Sequence, residues 1–190
     1  MHFRVSSTAV PLLAAAAVAL GSAATASAQP VSCGQVVTHD VTLDADLDCS
    51  QPGSTGLVVG ADGITIDLNG HTITGTTQGV GTATIGIDNR GGHDGVTVRN
   101  GKILQTNAAV WLSGASDNRL VGLNVTGVTG SAVMVEGGQG NVIRGSQLFS
   151  RGTPITVSGS NLMRIVGNGL SSVFGSAIFV EANGARLFGW

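Results

Sequence analysis

From Leu57 onward the chain runs in short stretches where apolar and polar residues alternate, each closed by Gly, Asn, Ser or Asp. Period-two alternation between such turn residues predicts strands with one buried face. Six stretches superpose: Leu68-Asn-Gly-His-Thr-Ile73, Val98-Arg-Asn-Gly-Lys-Ile103, Leu120-Val-Gly-Leu-Asn-Val125, Ile143-Arg-Gly-Ser-Gln-Leu148, Ile165-Val-Gly-Asn-Gly-Leu170 and Leu187-Phe-Gly-Trp190. Their first residues are 30, 22, 23, 22 and 22 positions apart, and the third position is Gly in five of the six. A second column, Ile85-Gly-Ile87, Val110-Trp-Leu112, Val133-Met-Val135, Ile155-Thr-Val157 and Ile178-Phe-Val180, advances by 25, 23, 22 and 23. Two columns sharing one period predict a solenoid in which each strand stacks on its counterpart one repeat later. No stretch of ten or more residues carries helical periodicity, so the expected class is all-β, a parallel solenoid of about six rungs of 22–23 residues.

Alternation also assigns the faces. Ile66, Leu68, Ile85, Ile87, Val98, Leu112, Leu120, Val133, Val135, Ile143, Val157, Ile165, Ile178 and Val180 are expected inside. The same phase turns Asp67, Arg99, Arg119, Arg144, Arg164 and Arg186 outward. On the other column Asp88, Trp111, Met134, Glu136, Phe179 and Glu181 face out, a strip of mixed aromatic and acidic character. Arginine can grip carboxylate or sulfate groups with two hydrogen bonds, and aromatic rings stack on sugars. Arg99, Trp111, Arg119, Arg144, Arg164 and Phe179 are therefore the candidate ligand-binding residues, with an acidic polysaccharide as the partner they would suit. The plainer account is that Arg119, Arg144 and Arg164 solvate a sheet face and pair with Asp117 or Glu136.

Composition narrows the class. Thirty of the 190 residues are Gly and 11% are charged; the 42% hydrophobic content excludes a polar disordered chain, and the net charge of −2 argues against a strong nucleic-acid footprint. A basic start at Met1–Arg4, an apolar run over Val10–Leu20 and the small-residue site Ala26-Ser27-Ala28 predict an export signal over residues 1–28, with no membrane span after it. The destination is then secreted or periplasmic. Cys33 and Cys49, the only cysteines, are expected to form a disulfide in that oxidising setting; two metal-binding thiolates are the alternative, without further Cys or clustered His nearby.

With the repeat and the opening Gly63-Ile-Thr-Ile-Asp-Leu-Asn-Gly-His-Thr-Ile-Thr-Gly75 in view, the chain resembles the right-handed parallel β-helix family, the pectate-lyase-like superfold, over about Leu57–Trp190. The resemblance implies a right-handed coil, an N-terminal cap over residues 29–56 carrying the disulfide, and a β-helix over 57–190. The superfold hosts lyases, hydrolases, epimerases, adhesins and inert scaffolds, so it does not choose a function. Asp67, His71, Asp88 and Lys102 are the catalytic candidates. A lyase would need Lys102 or Arg99 as base with Ca²⁺ or another neutralising group, and a hydrolase would need paired carboxylates such as Asp67 and Asp88. Gly91-Gly-His-Asp-Gly95 is similar to the Gly-His-Gly motif of polygalacturonase-like hydrolases, but the accompanying Asn-Thr-Asp and Asp-Asp motifs are missing. No column stacks three carboxylates, and the scattered His39, His71 and His93 give no metal cluster. No cofactor is expected, with Ca²⁺ entering only under the lyase alternative.

The reading is thus an exported, polysaccharide-associated β-helix protein without a complete active site. The alternatives are a polysaccharide lyase or glycoside hydrolase, and a purely structural surface module. Trp190 follows three residues after Leu187 opens a further rung, with no recognisable cap, so self-association through the C-terminal edge is also expected.

Overall fold

A computed structural model describes residues 30–77 and 84–181. The expected export signal, the repeat at Leu187 and the C-terminal edge built on it lie outside the described residues.

The chain winds as a β-solenoid of about six turns. Sheet 1 stacks Val36–Val37, Leu57–Val59, Ile85–Asn89, Ala108–Ser113, Val133–Glu136, Ile155–Ser158 and Ile178–Glu181 in that order. Sheet 2 stacks Val41–Thr42, Thr65–Asp67, Thr97–Leu104, Arg119–Val128, Val142–Arg144 and Arg164–Val166. A second course of sheet 2 runs through Leu47–Asp48 and Thr72–Thr74, shares the two long strands, and continues through Gln147–Ser150 and Gly169–Ser172. Every pairing between these strands is parallel, and no helix occurs among the described residues.

The recurring Gly has a geometric cause. Asn100, Gly122, Gly145 and Gly167 all sit at φ of 58–62°, in register, where sheet 2 bends between its two courses. That left-handed conformation costs Gly nothing and Asn little, so Asn100 substitutes in the one rung without Gly. Inside, the Ile, Leu and Val columns form one continuous core. Twelve of the fourteen expected core residues are buried, while Ile178 and Val180 in the last described strand of sheet 1 are only partly so.

Two registers differ from the sequence alignment. Val98 pairs with Ile66 rather than Leu68, although Ile73 still pairs with Ile103. The bend at Leu68–His71 therefore holds two more residues than its neighbour, and Leu68 fills the space left by Gly101, where a Cβ would collide with it. In sheet 1, Val110 pairs with Ile87, not Ile85, so the step is 23 and not 25. A slip of two keeps every side chain on its own face, which is why the core assignment survived both errors.

The ladders also begin earlier than expected. Val36–Val37, Val41–Thr42 and Leu47–Asp48 pair with the next turn, so part of the segment read as a cap is the first, short turn of the solenoid. The Cys33–Cys49 disulfide closes a loop around that turn.

Candidate functional site

The outer face of sheet 2 carries two adjacent columns. One reads Asp67, Arg99, Val121, Arg144, Val166; the other reads Thr65, Thr97, Arg119, Val142, Arg164. From Arg119 onward each turn presents one arginine and one valine, and the arginine changes column at every turn. Turns are about 4.8 Å apart, so arginines of one column recur at about 9–10 Å. The valines are half-buried and the arginines exposed. Arg99 is held by Asp67, its Nε donating to Oδ2 at 2.8 Å. Arg119, Arg144 and Arg164 have no ion pair among the described residues, so the expected pairing with Asp117 or Glu136 does not form.

Sheet 1 is built differently. Its corrected register sets Asp88 beside Trp111, followed by Met134, Thr156 and Phe179 in one column. The neighbouring column alternates Ser113, Glu136, Ser158 and Glu181. Asp88, expected to be exposed, is 7% exposed. Arg90 covers it, Nε and Nη2 donating to its two carboxylate oxygens at 2.9 and 2.7 Å. Burial pushes the Asp88 carboxyl upward, but the Arg90 hydrogen bonds and charge outweigh this and hold it below the ordinary carboxylate range. The same guanidinium lies over the Trp111 ring, 5.1 Å from its centroid, and Trp111 Nε1 donates to Glu136 Oε2 at 3.1 Å. Trp111 therefore already carries a cation on its ring and a carboxylate on its N–H, whereas Phe179 is open, 49% exposed. Arg90 was missed in the sequence because it follows the strand. Only the two-residue register correction sets Asp88 beside the tryptophan that its guanidinium covers.

The catalytic candidates divide between the sheets. Asp67 belongs to sheet 2 and Asp88 to sheet 1, so the pair a hydrolase would need is not assembled. His71 Nδ1 lies 3.2 Å from Asp46 Oδ1, an exposed acid that sequence reasoning passed over. Lys102 pairs in register with Thr72 and contributes charge to Asp46, so His71, Asp46 and Lys102 share one corner of sheet 2. A hydrogen bond from the Thr72 backbone and another from His71 hold Asp46 below the usual carboxylate range. His93 stands in the same relation to Asp62, at 3.0 Å, and that acid is likewise lowered, first by His93 and then by the Asp94 backbone N–H. An imidazole whose Nδ1 meets a carboxylate can take a proton at Nε2. Both acids are widely open to water, with side chains 69% and 73% exposed, which weakens that activation.

No group of three or more His, Cys, Asp or Glu residues suited to a metal occurs among the described residues. No helix there is long and apolar enough to cross a membrane. A shallow depression of about 200 Å³ lies on the second course of sheet 2, over Asn124, Gln147, Phe149 and Ser171, beside the arginine columns rather than under them. No protein-family model, curated protein or solved structure matches the chain.

Proposed function

We propose that this is an exported protein of the pectate-lyase-like β-helix type that binds acidic polysaccharide along the outer face of sheet 2 and does not cleave it. The observation carrying this reading is the set of three exposed arginines, Arg119, Arg144 and Arg164, which alternate between two in-register columns without an acidic partner among the described residues. Their separation is set by the turn repeat, and a cation about every 9–10 Å along each column suits an extended polyanion. Valines between them let the sugar rings lie close to the sheet. Binding without cleavage rests on the scatter of the candidate acids, since Asp67 and Asp88 lie on different sheets and each is engaged by its own arginine.

The test is titration of the purified chain with polygalacturonate, a sulfated glycosaminoglycan and a neutral glucan. Binding is expected for the anionic polymers and is expected to weaken with salt. Exposed charged contacts are worth up to about 1 kcal/mol each. Replacing Arg119, Arg144 and Arg164 together by Gln should then lower affinity about tenfold to a hundredfold. Equal binding of the neutral glucan, or unchanged affinity in the triple variant, would refute the proposal. The His71–Asp46–Lys102 corner is what favours the enzyme reading. Depolymerisation of polygalacturonate that is lost in Lys102→Ala would establish it instead.

A further inference from the structure

We infer that the two outer faces are complementary to each other, and that copies of this chain associate side by side with sheet 1 of one copy against sheet 2 of the next. The inference stands on face chemistry and register, independently of any polysaccharide.

Internal pairs are subtracted first. Asp88 is neutralised by Arg90 and Asp67 by Arg99. Sheet 1 is then left with two exposed carboxylates, Glu136 and Glu181, neither in an ion pair among the described residues; Glu136 accepts a hydrogen bond from the neutral Trp111 indole and shares the charge of Arg90 with Asp88, which Arg90 grips directly. Sheet 2 is left with Arg119, Arg144 and Arg164. Glu136 and Glu181 are two turns apart in register, through Ser158. Arg119 and Arg164 are also two turns apart in register, through Val142. Both pairs therefore repeat at the same about 9–10 Å, so two ion pairs can close at once.

Strand direction adds a second match. Two coils of the same sense lying side by side with parallel axes must present facing strands that run in opposite directions, whatever their handedness. In chain order sheet 1 reads apolar then acidic: Met134 then Glu136, and Phe179 then Glu181. Sheet 2 reads basic then apolar: Arg119 then Val121, and Arg164 then Val166. Opposed directions set Glu136 against Arg119 and Met134 against Val121 in one turn. Two turns on, they set Glu181 against Arg164 and Phe179 against Val166. Carboxylate meets guanidinium and apolar meets apolar at both levels, and the exposed Phe179 gains cover. Two different faces are used, so the contact is heterologous and each copy keeps one free face for the next, giving a ring or an open row. An acidic polysaccharide would compete for the same arginines and disperse the row.

The experiment is sedimentation velocity on the purified chain and two charge-reversed variants, Arg119→Glu with Arg164→Glu, and Glu136→Arg with Glu181→Arg. Wild type should sediment as multimers at about 0.05 M salt and as monomer at about 0.5 M. Each variant alone should be monomeric, because its two faces then carry the same sign. An equimolar mixture should recover the multimers, since each variant supplies the face that the other lacks. Circular dichroism melts check that both variants fold; Gln versions of the same pairs replace any that does not, and are expected to be monomeric alone and to give a heterodimer on mixing, since only one of the two junctions then keeps its ion pairs. Wild type that stays monomeric at low salt, a variant that associates alone, or a mixture of folded variants that stays monomeric would each overturn the inference. Polygalacturonate binding by Glu136→Arg with Glu181→Arg should be retained, which separates failure of association from failure of the binding face.

Discussion

The first turns and the later ones are stacked by the same ladders but carry charge in opposite ways. Residues 30–96 hold eight Asp and one Arg, a balance of −7, whereas residues 97–181 hold six Arg or Lys and three Asp or Glu, a balance of +3. All four side-chain contacts between an acid and a basic residue among the described residues involve an acid from the first group: Asp46–His71, Asp62–His93, Asp67–Arg99 and Asp88–Arg90. Three of them join successive turns, and so do backbone donors such as Thr65 N–H to Asp40 and Thr72 N–H to Asp46. In the early turns charge ties turn to turn. Past Arg99 most of that work passes to neutral groups, the Ser116 N–H to Asp94 and Trp111 N–H to Glu136 bonds apart: Asn118 and Asn141 are buried and bonded to each other, and Asn141 donates to the Ala115 carbonyl. The later arginines are thereby released from structural duty. A surface charge that the fold does not use is the one available to a partner.

The comparison predicts equality where the two regions share a mechanism. Ile66→Ala in the early turns and Ile143→Ala in the later ones each empty a fully buried site in one continuous core. Each should cost about 2–5 kcal/mol by chemical denaturation, the largest effects predicted here. A much smaller loss at Ile143 would mean that the later turns are loosely packed and the contrast is one of order, not of charge.

Next in size is the disulfide, which only the first turn possesses. Its 16-residue separation corresponds to about 3 kcal/mol in the chain-entropy description. Reduction, or Cys33→Ser with Cys49→Ser, should lower the unfolding free energy by that amount, read from chemical denaturation. Because each turn contacts only its neighbours, the loss should begin as fraying of Val36–Asp48, seen as fast hydrogen exchange there before the rest of the chain responds.

What the sequence disclosed follows the same physics. The period, the buried columns and the outward arginines were legible because they depend on alternation, and alternation tolerates a two-residue slip. Pairing partners were less legible: nothing local to Leu68–His71 reveals that its bend holds two extra residues. The Asp88–Arg90–Trp111–Glu136 chain was hidden for the same reason, as it exists only in the corrected register. Asp46 and Asp62 were passed over because their partners lie 25 and 31 positions away, and no pattern within either rung marks the contact.

That hidden chain supplies the third prediction. Arg90→Gln leaves the Asp88 carboxylate buried without its cation, which should cost about 1–3 kcal/mol at neutral pH. The pH dependence has a definite sign. Asp88 titrates below its ordinary value of 3.8 when folded, so the native state holds its proton less tightly than the unfolded chain does. Its stabilisation is complete above that ordinary value and is lost as pH falls through the lower folded one. In wild type, thermal stability should therefore decline below about pH 4, with Asp46 and Asp62 acting in the same direction. In Arg90→Gln the decline should be shallower. A variant as acid-sensitive as wild type would show that the Arg90 fork does not hold Asp88 down.

The smallest expected effect bears most directly on the contrast. Arg144→Gln removes a charge that makes no ion pair among the described residues, from a position flanked in its column by Val121 and Val166. The shortened side chain keeps part of its stem over the valines, so little packing is lost. Stability should change by no more than about 0.5 kcal/mol, and removing one of several like charges could even raise it slightly. Arg99→Gln is the matched control, because there the same substitution removes the ion pair of Asp67, one of the ties between two successive turns. Measured side by side by urea denaturation, Arg99→Gln should be the more destabilising of the two. If Arg144→Gln instead costs as much as Arg99→Gln, the later arginines bind turn to turn as the early acids do, and the face they form is architecture rather than a place for a partner.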